Sequence, residues 1–242
     1  MSLLVMDGVS RLRVRAGRGG RERDVLHKAS FEVVAAEVVA VWGRRRSGRS
    51  TLLRVAAGIE LPDEGTVRFG GVDLRARSML GLPDGIGYCT TIYTRAIGDS
   101  VLDHVAAPLL GGKLAVAGAE DRALAALRRV GAADCASLDP LELDHAEATR
   151  VGIARALVTG PRLLLADEPT GGVSPARDRD AILALLRSLA DRDGIAVLMT
   201  AGEATDLAGA DRALTIDGGA VRGETAAARA SVVPLRRADA GG

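Results

Sequence analysis

Asparagine and glutamine do not occur in this 242-residue chain, lysine occurs only at Lys28 and Lys113, and histidine only at His27, His104 and His145. Chemistry that needs a side-chain amide or a set of histidines is thereby excluded. The histidines show no metal-binding spacing such as H-x-x-x-H, and His27 and His104 read as ordinary surface or half-buried residues. Cysteine is equally scarce. Cys89 and Cys135 stand far apart with no C-x-x-C, which excludes a disulfide scaffold or a zinc ribbon, suits a reducing compartment, and leaves both as buried small hydrophobes. Aromatics make up 2% of the chain, so aliphatic side chains must fill the core and a base-stacking platform of the RNA-binding kind is excluded. No apolar run reaches the roughly 18 residues of a membrane span, and the opening residues lack the pattern of a cleaved leader. The expected location is cytoplasmic.

Charge of either sign is not in excess: 32 basic residues against 31 acidic give +1. That balance removes the electrostatic footprint of a nucleic-acid binder, so no nucleic-acid partner is expected and any polyanion site must be local. What is present is enough for a sizeable core, with 48% hydrophobic residues in a chain of this length.

Short β-branched runs alternate with helical patterns. Residues 31–34, 38–42, 162–167, 196–200 and 212–217 read as strands. A helix over 50–57 follows a strand and a glycine-bearing loop, and a turn and strand over 61–69 come after it. From about Tyr93 to Leu157 the pattern turns helical, with 101–110, 119–130 and 147–157 as the helices; an Ala/Arg-rich tail begins at Gly223.

Gly43-Arg44-Arg45-Arg46-Ser47-Gly48-Arg49-Ser50 has the G-x-x-x-x-G-K-[ST] frame of a phosphate-binding loop with arginine in the lysine slot. Backbone amides and the helix beginning near Ser50 would face a polyphosphate, and the Ser50 hydroxyl would ligate Mg²⁺. Arg49 keeps the charge but replaces a compact ammonium by a wide planar fork. Further on, Pro161 to Glu168 is an apolar strand ending in two carboxylates. Such an ending places Asp167 on the metal and Glu168 beside an attacking water. Two motifs in the right order reinforce one another.

Together with the stretches VVAVWGRRRSGRSTLLRVAAGIELPDEGTVRFGGVDL, SVLDHVAAPLL, RVGIARALVTGPRLLLADEPTG and DRALTIDGGAV, these motifs make the chain resemble an ATP-binding-cassette (ABC) nucleotide-binding domain, near the lipoprotein-release and macrolide-exporter group. The resemblance runs from about Val9 to Val221. It implies an α/β fold: a P-loop NTPase, RecA-like core with an antiparallel β subdomain (1–91 and 158–222), an inserted α-helical subdomain (92–157), and a flexible tail (223–242). It also implies ATP and Mg²⁺ as cofactors, with Gly43, Arg46, Ser47, Gly48, Arg49, Ser50 and Thr51 on the nucleotide, Ser50 and Asp167 on the metal, and Glu168 as catalytic base. The partners implied are a membrane permease, contacted around 91–110, and a second nucleotide-binding subunit arranged head to tail. In such a dimer each ATP lies between one subunit's phosphate loop and the other's signature motif.

The sequence departs from that family's pattern systematically. No aromatic residue lies between Met1 and Ala29 to stack on adenine, a contact worth about 1–3 kcal/mol per base. The family's glycine at the fourth position of the loop is Arg46 here, which would cost about 1–2 kcal/mol if held at positive φ. The coupling glutamine aligns with Thr91. The signature aligns with Leu143-Asp144-His145-Ala146-Glu147, where a carboxylate about 5 Å from a γ-phosphate would repel it by about 3 kcal/mol at an effective dielectric near 20. The dimer-contact aspartate aligns with Ser174 and the switch histidine with Ala201. Two expectations follow: a degenerate, pseudo-ATPase subunit at the inner membrane face, paired with a competent one, is preferred, and the alternative is a working ATPase using Arg49, Asp167 and Glu168.

Overall fold

A computed structural model describes residues 1–14, 22–76, 82–90, 100–110 and 116–226. Two sheets carry the fold. β1 (Ser2–Val14), β2 (Glu22–Val34), β4 (Glu64–Phe69) and β5 (Val72–Asp73) form an antiparallel sheet in the order β2-β1-β4-β5. The second sheet runs β10-β9-β3-β8-β7-β6, built from β3 (Val38–Trp42), β6 (Ile86–Cys89), β7 (Leu163–Ala166), β8 (Ala196–Ala201), β9 (Arg212–Asp217) and β10 (Ala220–Ala226). Its strands are parallel except for β10. β10 continues past Gly223, the residue at which the tail was expected to start.

The central strands are apolar at nearly every position because both of their faces are covered. Along β3, Val39 and Val41 enter the core shared with the antiparallel sheet and α1 (Arg49–Ala56), while Val38 and Ala40 enter the core shared with the helices. β7 alternates in the same way, Leu163 and Leu165 against Leu164 and Ala166, and so does β8. The helical side consists of α2 (Val101–Ala106), α3 (Val116–Val130), α4 (His145–Leu157) and α5 (Ala176–Asp193). α3 packs through Ala119, Ala123, Ala126, Leu127 and Val130, one stripe at helical spacing.

Because β3, β8 and β7 are neighbours and parallel, three carboxyl ends meet at one edge: the loop after Trp42, the residues after Ala166 and the end of β8 at Thr200 and Ala201. Ligands of open parallel sheets bind at such an edge.

Candidate nucleotide site

The loop from Gly43 to Gly48 needs its two frame glycines. A Cβ at Gly43 would lie 2.5 Å from the Ile216 carbonyl oxygen, and one at Gly48, where φ is +108°, would strike the Val25 carbonyl. Arg46 sits at φ +65°. The curl that glycine normally provides is therefore made, at the left-handed cost of about 1–2 kcal/mol for a residue with a Cβ. α1 starts after Gly48 with no side-chain cap and no acidic residue in its first turn, so its leading amides are left to a ligand.

Asp167 closes the other side of the site. Its Oδ1 accepts from Ser50 Oγ at 3.1 Å and from Thr200 Oγ1 at 2.9 Å, and the Tyr88 hydroxyl lies 3.5 Å from Oδ2. Thr200 in turn accepts from the Glu168 amide at 2.7 Å. Thr200 and Tyr88 are site residues that motif reading misses, since hydroxyls at strand ends carry no spacing of their own. Burial, with the Asp167 charge second, raises the Tyr88 phenol well above its ordinary range. The same two causes push the fully buried Cys89 thiol up to about 12.

That thiol gives a pH expectation. A thiol ionises near 9 in the unfolded chain and near 12 when folded, so the unfolded state sheds its proton first and stability falls as pH climbs through that window. Cys89→Ala should flatten the loss between pH 9 and about 12 in chemical denaturation curves; an unchanged slope would contradict the assignment.

Arg49 departs most from a phosphate-loop cation. Its side chain is 5% exposed, donates from one guanidinium nitrogen to Glu168 Oε1 at 2.6 Å, and donates from the other to the Ala201 carbonyl. The planar fork bridges the two acceptors with two separate nitrogens. Glu168 is 44% exposed and its φ is +48°. One of its two carboxylate oxygens, Oε1, already accepts a charge-assisted bond.

The signature-aligned segment is also committed. Asp144 caps α4, its Oδ1 accepting from the Ala146 and Glu147 amides at 2.8 Å each, while Glu147 Oε2 accepts from the Asp144 amide at 2.9 Å. Of the amides that the resemblance assigns to a partner's phosphate, those of Asp144 and Ala146 are thus satisfied internally by a capping box. His145 lies against Gly172, where a Cβ would approach its ring to 2.6 Å. Asp144→Ser should preserve the cap and Asp144→Ala should lower unfolding free energy by about 1 kcal/mol; equal stability of the two variants would rule the cap out as a contributor.

Ser47, Ser50 and Thr51 lie along one open cleft of about 510 Å³ with Arg46, Gly48 and Arg49. Ala201 supplies only its carbonyl, Ser174 lines an adjoining cleft with Arg49 and Glu168, and Thr91 lies outside the described residues. The oxygens of Ser50 and Asp167 fit a Mg²⁺ ion, and the open amides fit phosphate. Among the described residues no cluster of three or more metal-ligating side chains exists, so phosphate oxygens would have to complete the metal shell. When bound, Mg²⁺ neutralises phosphate charge. Of the chain's own groups, Ser50 and Asp167 are placed to hold it, whereas Glu168 is turned onto Arg49.

The ABC transporter family matches residues 26–171. The chain belongs to that family, as an ATP-binding cassette. Its fold is similar to the dimeric bacterial ABC transporter cassette MJ0796 (TM-score 0.80, 23% identity, covering 92% of this chain and 98% of that one). It is also similar to cbiO1 of Clostridium perfringens, part of the cbiONQ transporter complex (0.74, 22%, 93% and 88%). A bacterial Atm1-family ABC exporter with ATP bound matches over 92% of this chain and 38% of its own length (0.72, 25%).

Proposed function

We propose that this cassette is a degenerate nucleotide-binding subunit, near the lipoprotein-release and macrolide-exporter group, that binds ATP weakly and hydrolyses little or none. It docks on a membrane permease through the region around 91–110, lies on the cytoplasmic face of the membrane, and works beside a second, catalytically competent nucleotide-binding subunit. No helix among the described residues is long and apolar enough to cross a membrane. Residues 1–91 and 158–222 serve as its core and 92–157 as its helical subdomain.

One observation carries the reading: the phosphate-loop cation and the base are bonded to each other, Arg49 to Glu168 at 2.6 Å. Catalysis needs the cation on phosphate and the carboxylate on water, and the pair must break before either can act. The committed amides around Asp144 support the same conclusion for the opposite face. In a heterodimer the site built from the partner's phosphate loop retains a complete catalytic half, so turnover resides there. MJ0796, similar in fold, has been seen as a dimer and with ADP and phosphate; this chain would use that assembly asymmetrically. Affinity purification of the tagged chain from its native membrane, with sequencing of what accompanies it, tests the proposal. A permease plus a different nucleotide-binding subunit is expected; two copies of this chain with no other such subunit would overturn it.

A further inference from the structure

The nucleotide cleft holds more positive charge than the chain itself neutralises. Four arginines line it, and two are engaged: Arg49 with Glu168, and Arg54 with Glu60 at 2.5 Å. Arg45 and Arg46 are exposed and, among the described residues, have no ion pair or hydrogen bond. Glu168 is the one acidic residue of the lining. Ser47 Oγ, in the same lining, is buried with the residue 8% exposed and has no hydrogen-bond partner. The uncapped start of α1 adds its amides. Val25, Gly218 and Gly219 complete the lining, and among the described residues no aromatic lines the cleft. Nor does the chain have one to bring from the segment before Ala29.

Unpaired cations, amide donors and a buried hydroxyl recognise phosphate, and among the described residues of the lining there is no aromatic platform for a flat base. We propose that the ligand read by this cleft is the phosphate chain alone, so that a linear polyphosphate without a nucleoside is bound as well as ATP. The proposal rests on the reading of the cleft as a degenerate nucleotide site and specifies its ligand class. Free polyphosphate and a nucleotide tail share the chemistry, and the test separates them.

Calorimetry on the full chain at low salt, with Mg²⁺, compares sodium tripolyphosphate, ATP and adenosine. Tripolyphosphate is expected to bind no more than about threefold more weakly than ATP, and adenosine not at all. Arg45→Ser, at an exposed position without partners, should weaken both phosphate ligands by a common factor of about five. An ATP preference beyond about threefold, an Arg45→Ser effect on ATP alone, or no binding of either ligand at about 5 mM would overturn the proposal. None of those outcomes bears on hydrolysis, which phosphate release judges separately.

Discussion

Glu168→Ala is expected to lower unfolding free energy by about 2 kcal/mol, or the melting temperature by about 4–8 °C. Removing one partner of a fully buried pair costs about 3–5 kcal/mol, because the remaining charge is stranded. Here the stranded group is the Arg49 guanidinium, 5% exposed, while the deleted carboxylate is 44% exposed and repays part of the loss through solvent screening. Arg49 keeps its bond to the Ala201 carbonyl, and alanine leaves the left-handed backbone at this position as it was, so the loss reports the side chain. Arg49→Met should cost less on its own, since the half-exposed carboxylate regains water. The double variant should lose at least about 1 kcal/mol less than the sum of the single losses. A glutamate held free for catalysis predicts otherwise: strained active-site groups are commonly removed at no cost or with a gain. Unchanged or raised stability in Glu168→Ala would mean that the pair contributes nothing.

Asp167→Ala should be costlier, at about 3 kcal/mol or roughly 6–12 °C. Hydrogen bonds to a carboxylate contribute about 1.5–3 kcal/mol each, and Asp167 accepts two on Oδ1, from Ser50 and Thr200, besides the long contact from Tyr88 on Oδ2. Asp167→Asn keeps the shape and an acceptor oxygen and should lose about half as much. Thr200→Val removes one of the two bonds and also the acceptor of the Glu168 amide, for an expected loss of about 1–2 kcal/mol. Denaturant titration ranks the three variants. Equal stability of Asp167→Ala and the parent would indicate that the carboxylate is solvated rather than held, and would remove it as a preformed metal ligand.

The parts of the fold with internal period were legible in the sequence. β3 and β9 fall where their β-branched runs lie, and α3 where its alanine and leucine stripe lies. β1 was not, because its pairing with β2 slips register repeatedly and breaks the alternation of apolar and polar positions. α5 was missed although Ile182, Leu186 and Leu189 form a buried stripe; its charged opening, Ala176 to Asp180, hides it. At the site, both motifs were legible because phosphate and metal binding demand fixed spacing, and Arg46 indeed lies at positive φ. The closing of Arg49 onto Glu168 was not legible, since it joins residues 119 positions apart that follow β3 and β7, with β8 between them. Asp144 was legible as a charge but not as a helix cap, a role set by where α4 begins.

The Arg49–Glu168 pair carries the function proposed above, and it would explain how a chain could keep the metal and base residues of a cassette and not use them. The most direct measurement is phosphate release from Mg-ATP by the purified chain and by Glu168→Gln, under identical conditions. The account predicts that both stay at the same background rate. A rate for the unmodified chain well above background, falling by about 100-fold or more in Glu168→Gln, would show that Glu168 leaves Arg49 to act as a base and would contradict it.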